Sequence, residues 1–313
     1  MEYSEFIKQV KSCIEQRASI GYQVQLHTIM KNNDVERIGL VLVKEGARVT
    51  PTIYLDRYYG RYKRGETLEQ LCSEMYDLRI MTEQEETMET LTANMDLAAW
   101  EDKIIYRLVN RKKNQKRLQN APFMQFMDLA ITFHCIVRNS NDEIGSFQIT
   151  RELMERWNLT VKELYQYAGS NTPKFFPAKI NTMEDVLQEL MSPEEYRMIV
   201  EDEETKDVLW QQTEEEERSS PKMYILTNSN GINGASALLY PKVIEEFSNK
   251  IEASVYILPS SIHEVILVPF QEDIEKSQLI QMVNEVNETQ VENEEVLSSN
   301  VYFYDIKQKE LSY

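Results

Sequence analysis

The amino-acid sequence predicts an α+β protein, in which an N-terminal part of mixed helix and sheet precedes a C-terminal antiparallel or mixed sheet with two helices. Apolar residues recur at helical spacing from Tyr3 to Ile14. Apolar and polar residues then alternate from Tyr22 to Thr28, which is the pattern of a strand with one buried face. After Pro221, short strands and helices follow one another, which favours a sheet covered on one face by helices.

The first two hundred residues predict helices and strands in a mixed order. Residues 32–34 form a turn signal between two strands, so a hairpin is expected there. Thr67 and Gln70 have the spacing of a capping box at the start of a helix. The predicted elements are, in order, helix 3–14, strands 22–28, 35–43 and 52–55, helices 67–80 and 97–118, strands 126–137 and 144–149, a helix that opens with a Thr160–Glu163 capping box and stops before Pro173, and a helix over 182–198.

Two of these predicted elements rest on different arrangements of apolar residues. Residues 126–137 are almost continuously apolar, which predicts a strand buried on both faces. Residues 97–118 place Trp100, Ile104 and Leu108 on one side of a predicted helix.

The C-terminal elements are strands 223–227 and 235–240, helix 241–251, strands 254–258 and 264–268, helix 274–287 and strand 301–304.

An acidic segment interrupts this pattern. Residues 201–217 contain nine acidic residues and one Lys, and like charges at this density resist packing. The sequence therefore predicts an N-terminal domain over 1–200, an acidic connector over 201–220 and a C-terminal domain over 221–313.

Composition limits the function classes. The chain has 313 residues and a net charge of −18, which disfavours nucleic acid as a partner of the whole chain and leaves another protein as a possible partner. Its three cysteines are far apart, which does not suit a disulfide framework, and no stretch has the ~20 apolar residues of a membrane span. We expect a cytoplasmic protein, and the sequence predicts neither a metal site nor a cofactor.

A glycine-containing loop is the first candidate site. Asn228, Gly231 and Gly234 lie in a polar loop whose backbone N–H groups could bind an anion. The spacing of a phosphate-binding or dinucleotide-binding loop is absent, and Asn with Gly also suits a hairpin turn. Both interpretations stay open.

A short polar run is the second candidate. Ser261, His263 and Glu264 have the residue types of a hydrolase. In a strand, however, Ser261 and His263 would be about 7 Å apart, too far for a direct nucleophile–base hydrogen bond. Polar residues at a strand entrance are the alternative.

A basic stretch is the third candidate. Its cations could form a stripe on the predicted helix and bind phosphate, nucleic acid or an acidic partner, including the chain's own connector; alternatively the stripe is a solvated helix face. The residues are Lys103, Arg107, Arg111, Lys112, Lys113, Lys116 and Arg117.

An aromatic segment is the fourth candidate. Tyr58, Tyr59 and Tyr62 alternate with basic residues, a combination found in grooves where ligands stack. A turn that anchors the tyrosine rings in the core explains the pattern as well.

Five stretches spread over the chain resemble an uncharacterised bacterial family that is common in anaerobic Gram-positive, Clostridia-type gut bacteria. The resemblance implies no catalytic residue, because the family has no established activity. With dispersed polar residues, we expect a non-enzymatic binding or regulatory protein; the alternatives are a hydrolase using Ser261 and His263, and nucleic-acid binding by helix 103–117. The stretches are PTIYLDRYYGRY at 51–62, MDLAITFHCIV at 127–137, YILTNSNGINGASALLY at 224–240, ILPSSIHEVILVP at 257–269 and VNETQVENEEVLSSNVYFYD at 286–305.

Overall fold

The chain folds into two units, Met1–Trp100 and Glu101–Tyr313. Each combines helices with antiparallel strands, which confirms the predicted α+β class. Within the described ranges, no helix has the length and apolarity needed to cross a bilayer. The computed structural model describes residues 1–19, 21–44, 52–83, 95–139, 144–190 and 222–313.

Unit 1 packs helices against a three-stranded sheet of order β1-β2-β3. Phe6, Val10 and Ile14 recur every fourth residue on α1 and are fully buried against Leu40 and Leu42 of β2. The predicted hairpin and the Thr67–Gln70 capping box are both present. The elements are α1 Tyr3–Arg17, β1 Tyr22–Met30, β2 Glu36–Lys44, β3 Thr52–Tyr54, α2 Leu55–Lys63 and α3 Leu68–Glu83.

Unit 2 contains two antiparallel sheets. One has β6 at its centre, paired with β4, β5 and β7; the other has six strands in the order β13-β12-β10-β11-β9-β8. The elements are β4 Ile104–Asn110, α4 Gln115–Asn120, β5 Phe123–Phe126, β6 Leu129–Asn139, β7 Ile144–Gln148, α5 Arg151–Arg156, α6 Val161–Phe175, β8 Ala178–Thr182, α7 Met183–Leu190, β9 Tyr224–Asn228, α8 Val243–Ile251, β10 Val255–Leu258, β11 Val265–Pro269, α9 Lys276–Thr289, β12 Tyr302–Asp305 and β13 Glu310–Ser312.

The central strand β6 confirms most of the predicted strand over 126–137 as a strand buried on both faces, but Phe126 ends β5 and residues 127–128 form the turn into β6. All eight residues from Leu129 to Ile136 are buried, including Thr132 and His134. A strand covered on both faces tolerates polar side chains only when they find partners. These two residues partner each other, since Thr132 Oγ1 lies 3.1 Å from His134 Nε2.

The predicted helix over 97–118 is wrong. Residues 104–110 form strand β4, which pairs with β6, and only Gln115–Asn120 are α-helical. Five of the seven β4 residues are buried on one face or the other, so the apolar run lacks the alternation of a half-exposed strand. The pattern was therefore compatible with either structure.

The C-terminal prediction needs two further corrections. Residues 234–239 form a 3₁₀ helix rather than a strand, because the left-handed Asn233 turns the chain immediately before it. The helix α6 passes through Pro173 and ends at Phe175, two residues after the position that lacks an N–H donor.

The division into units differs from the predicted domains. The first unit ends at Trp100 rather than at residue 200, and strand β8 pairs with β9 in one sheet. The polar edge strand β8 has no alternating apolar pattern, so nothing in the sequence tied it to the C-terminal strands. The predicted connector over 201–220 lies outside the described residues.

Candidate functional site

The 228–233 loop, residues Asn228–Asn233, follows strand β9 and is closed by its own hydrogen bonds. Asn228 is 3% exposed; its Nδ2 donates to Ile232 O over 2.9 Å and its Oδ1 accepts from Asn230 N over 3.1 Å. Gly231 has φ +67° and Asn233 φ 53°, backbone conformations that Gly and Asn adopt at little cost. The loop is therefore shaped before any ligand arrives.

The imidazole of His263 holds this loop from the side. Its Nδ1 lies 3.2 Å from Gly231 O and 3.4 Å from Asn233 N, and its Nε2 lies 3.3 Å from Glu295 Oε1. A neutral ring protonated on Nε2 donates to Glu295 and accepts from Asn233 N, whereas a charged ring donates to Glu295 and Gly231 O. The loop is bonded to His263 in either state.

Ser261 is directed at the main chain. Its Oγ accepts from His263 N over 3.0 Å, and its backbone forms an isolated bridge with Val296. Ser261 is 5% exposed, and among the described contacts its Oγ makes no hydrogen bond to an imidazole nitrogen. The carboxylate at His263 belongs to Glu295 rather than to Glu264.

Gly234 lets the chain pass closely over the end of β9 and the backbone of His263. A Cβ on Gly234 would overlap Thr227 Oγ1 and His263 O and would lie 2.8 Å from Asn228 N. Only glycine fits this position, which explains the residue without any ligand. We call Asn228, Ser261, His263, Glu295 and Gly234 the loop frame.

The other side of the loop faces the free edge of β4. Tyr106 N donates to Thr172 Oγ1 and Leu108 N donates to Ser236 Oγ, each over 3.1 Å. A small cavity of about 10 Å³, enough for one water molecule, lies between Arg107 and Asn228. Side-chain hydroxyls thus satisfy an edge that would otherwise expose its N–H groups.

The outer surface of the loop carries no charge. Ser229, Gly231 and Ile232 are exposed, Ile232 to 42%. No charged residue occurs from Met223 to Pro241, although 27% of the chain is charged. The loop therefore presents a rigid, neutral tip with one apolar side chain.

The aromatic candidates lie in unit 1 and support its core. Tyr58 is 8% exposed, and the Tyr59 ring lies 4.9 Å from that of Tyr3 while its hydroxyl donates to Met1 O. The Tyr62 ring packs 5.4 Å from that of Phe6. These rings contact one another and the core, so they anchor the segment as expected, but they do so from helix α2 rather than from a turn.

The basic candidates do not form a helical stripe, because β4 separates them. Lys103 ends a 3₁₀ turn, Arg107 lies on β4, and residues 111–113 follow the strand. Lys116 and Arg117 lie on α4. Within this set, Lys112, Lys113 and Lys116 are exposed, whereas Arg107 and Arg117 are half-buried beside His134.

Sequence reasoning missed two features of these sites. Glu295 lies 32 residues from His263, and His134 meets Gln148 only through the pairing of β6 with β7. Neither contact has a local spacing from which it could be inferred. Within the described ranges, no three His, Cys, Asp or Glu side chains gather closely enough to hold a metal ion.

Comparison with known proteins places the chain in a family without assigning an activity. No curated protein and no solved structure matches the chain significantly. A family model described as a family of unknown function, DUF5688, matches residues 3–306, nearly the whole chain. The expected membership of an uncharacterised family is thereby confirmed: the chain belongs to DUF5688.

Proposed function

We propose that the protein is a non-enzymatic binding protein that recognises a partner protein through the 228–233 loop. One observation carries the proposal: the polar residues that a hydrolase would use instead hold this loop, while its tip stays exposed. A loop that is ordered before binding loses less conformational entropy on binding. A rigid neutral tip is suited to recognition.

The composition of the tip indicates the chemistry of the partner. Interface centres are depleted in charged residues, and Ile232 is an exposed apolar side chain within an uncharged stretch. Glu292, Glu294 and Glu295 lie in the segment that is bonded to Ile262 beside the loop. The partner surface we propose is an apolar pocket with a basic rim, because opposite charges favour encounter.

A matched pair of substitutions tests this role. Ile232→Asp places a charge at the loop tip, whereas Met282→Asp places one at a similarly exposed position on α9. Tagged wild-type protein and both variants are used to capture partners from the natural host, and the recovered proteins are quantified by mass spectrometry. We expect a partner that is recovered with wild type and Met282→Asp, and at least tenfold less with Ile232→Asp.

Thermal unfolding of both variants is the control for folding. Both positions are exposed, so each variant should stay within about 0.5 kcal/mol of wild type. Equal recovery of every partner by the two variants contradicts recognition through the loop.

A hydrolase is the competing function, and the His263–Glu295 contact is the observation that favours it. A carboxylate that orients an imidazole is part of a catalytic triad, but a nucleophile must also meet the other nitrogen. The test is hydrolysis of an activated ester. If the wild-type protein hydrolyses it and both Ser261→Ala and His263→Gln lose the activity, the protein is a hydrolase rather than a non-enzymatic binding protein.

Nucleic-acid binding by residues 103–117 remains the weaker alternative. It predicts salt-dependent binding that weakens when Arg111, Lys112 and Lys113 are replaced by Glu. The cytoplasm of an anaerobic Gram-positive bacterium is the proposed setting, following the resemblance and the three free cysteines.

A further inference from the structure

The arginine cluster is a group of polar side chains on one face of the β4–β6–β7 sheet. Arg107 pairs with Thr132, and His134 pairs with Gln148. Directly paired residues share a face of a sheet, as do residues two apart on a strand. The cluster therefore comprises, on one face, Arg107, Thr132, His134, Ser146 and Gln148, joined by Arg117 from helix α4.

Two guanidinium groups are fixed at neighbouring positions of β7. Arg107 donates to Ser146 Oγ over 2.8 Å, and Arg117 donates to Gln148 Oε1 over 2.9 Å. Ser146 and Gln148 are two residues apart, which places same-face positions roughly 7 Å from each other. The two guanidinium groups therefore lie on one face of the sheet and close enough for each to feel the other's charge, an arrangement in which both can donate to one phosphate.

The hydrogen-bonding capacity of Arg107 is mostly unused. A guanidinium has five N–H donors. Within the described part of the chain, the Arg107 side chain makes one hydrogen bond, to Ser146, and forms no salt bridge with a carboxylate. A half-buried cation with a neutral partner is costly unless another group compensates it.

The three basic groups raise one another's electrostatic energy. Burial and, to a smaller extent, the charge of Arg117 lower the pKa of Arg107 to about 10. Burial, followed by the charges of Arg107 and Arg117, holds the pKa of His134 well below its usual range. Among the described residues, the polar groups beside His134 include Arg107 of β4, Arg117 of α4, Thr132 of its own strand and the neutral Gln148 of β7.

We propose that the arginine cluster binds a phosphate dianion, either free or as the terminal group of a small phosphomonoester. Arg107 and Arg117 supply the guanidinium donors, which suit the oxygen geometry of phosphate. The anion offsets the repulsion between the two cations. Its negative charge also raises the pKa of His134 from this lowered value.

Binding of inorganic phosphate to the full chain at pH 7 tests this proposal. Calorimetry and thermal unfolding are measured in phosphate and in chloride of equal ionic strength, for wild type and Arg107→Met. Loss of a charge-assisted bond corresponds to roughly tenfold to hundredfold weaker affinity, which we expect for Arg107→Met. In chloride, Arg107→Met should melt at the same or a higher temperature, because a cation that has no carboxylate partner among the described residues has been removed.

Two control variants separate this site from general attraction to surface charge. Lys112→Gln and Lys113→Gln remove exposed cations nearby and should change the affinity by less than twofold. Arg107→Lys keeps the charge but removes the planar fork, so its affinity should fall between wild type and Arg107→Met. A loss in the lysine variants as large as in Arg107→Met overturns the proposal, as does the absence of phosphate binding by wild type.

The proton on His134 gives a second readout. Sulfate stays a dianion well below pH 6, so the imidazole can be titrated by NMR from about pH 4 upward with and without it. We expect sulfate to raise the His134 pKa by roughly one unit or more; an unchanged pKa contradicts the placement of the anion. Competition between inorganic phosphate and glycerol phosphate then distinguishes the free anion from a phosphomonoester, and the tighter ligand identifies the source.

Discussion

The loop frame and the arginine cluster are two polar groups of unit 2 that use their hydrogen-bonding capacity differently. In the frame, Asn228 bonds the loop with both side-chain atoms, and both nitrogens of His263 have partners. In the cluster, Arg107 uses one of its five donors for a described partner. A satisfied polar group is explained by the fold, whereas an unsatisfied one calls for a ligand.

Asp128 shows why hydrogen bonds, rather than charge alone, decide between these cases. Like Arg107, it forms no salt bridge with a described residue. Its carboxylate nevertheless accepts hydrogen bonds from Tyr302 over 2.5 Å, Ser298 over 2.7 Å and Asn300 over 3.0 Å. Three donors satisfy this anion, so Asp128 needs no ligand to account for it.

The largest effect is expected at Gly234, where the loop frame has no spare room. Gly234→Ala brings a methyl group against Thr227, His263 and Asn228, so either the loop or the strands must move. Overpacking of this kind costs about 3 kcal/mol of unfolding free energy, measurable by urea denaturation.

Gly169→Ala is the matched control within the same unit. Gly169 lies inside helix α6 with no atom within 4 Å of an added Cβ. Alanine is the better helix former, so this variant should gain roughly 0.5–1 kcal/mol. Gly234→Ala with wild-type stability would mean that the frame is looser than its contacts indicate.

The second effect concerns Asp128, the satisfied charge. Asp128→Ala leaves the buried hydroxyls of Tyr302 and Ser298 without their acceptor, which costs about 2–3 kcal/mol. Tyr302→Phe removes one donor but leaves Asp128 two others, and should cost about 1 kcal/mol. If the two variants lose equal stability in urea, Asp128 is not the centre of this network, and the contrast with Arg107 weakens.

The sequence predicted the elements of this molecule better than their assembly. The hairpin of unit 1, strand β6 and helices α8 and α9 follow from periodicity, turn residues and caps. Strand β4 could not be distinguished from a helix, because burial on both faces removes the alternation that marks a strand.

The candidate sites likewise contain residues that local sequence indicates and contacts that only the fold creates. Local turn chemistry singles out Asn228, Gly231 and Gly234, and the structure places the first two in one loop and Gly234 directly after it. The partner of His263 could not be foreseen, since Glu295 approaches it through the fold alone. The basic residues 103–117 were noticed as a group, but Arg107 joins His134 only because β4 pairs with β6.

The smallest effect tests whether the free edge of β4 is held by the segment that follows the loop. Ser236→Ala removes the acceptor for Leu108 N at a position that is 2% exposed, which costs about 1 kcal/mol. Hydrogen exchange gives a sharper measure, because the Tyr106 amide on the same edge is held independently by Thr172. Local loss of the bond should speed exchange at Leu108 at least fivefold and leave Tyr106 unchanged. Equal acceleration at both amides would instead indicate that the whole edge opens together, and that Ser236 stabilises the unit without fixing this strand locally.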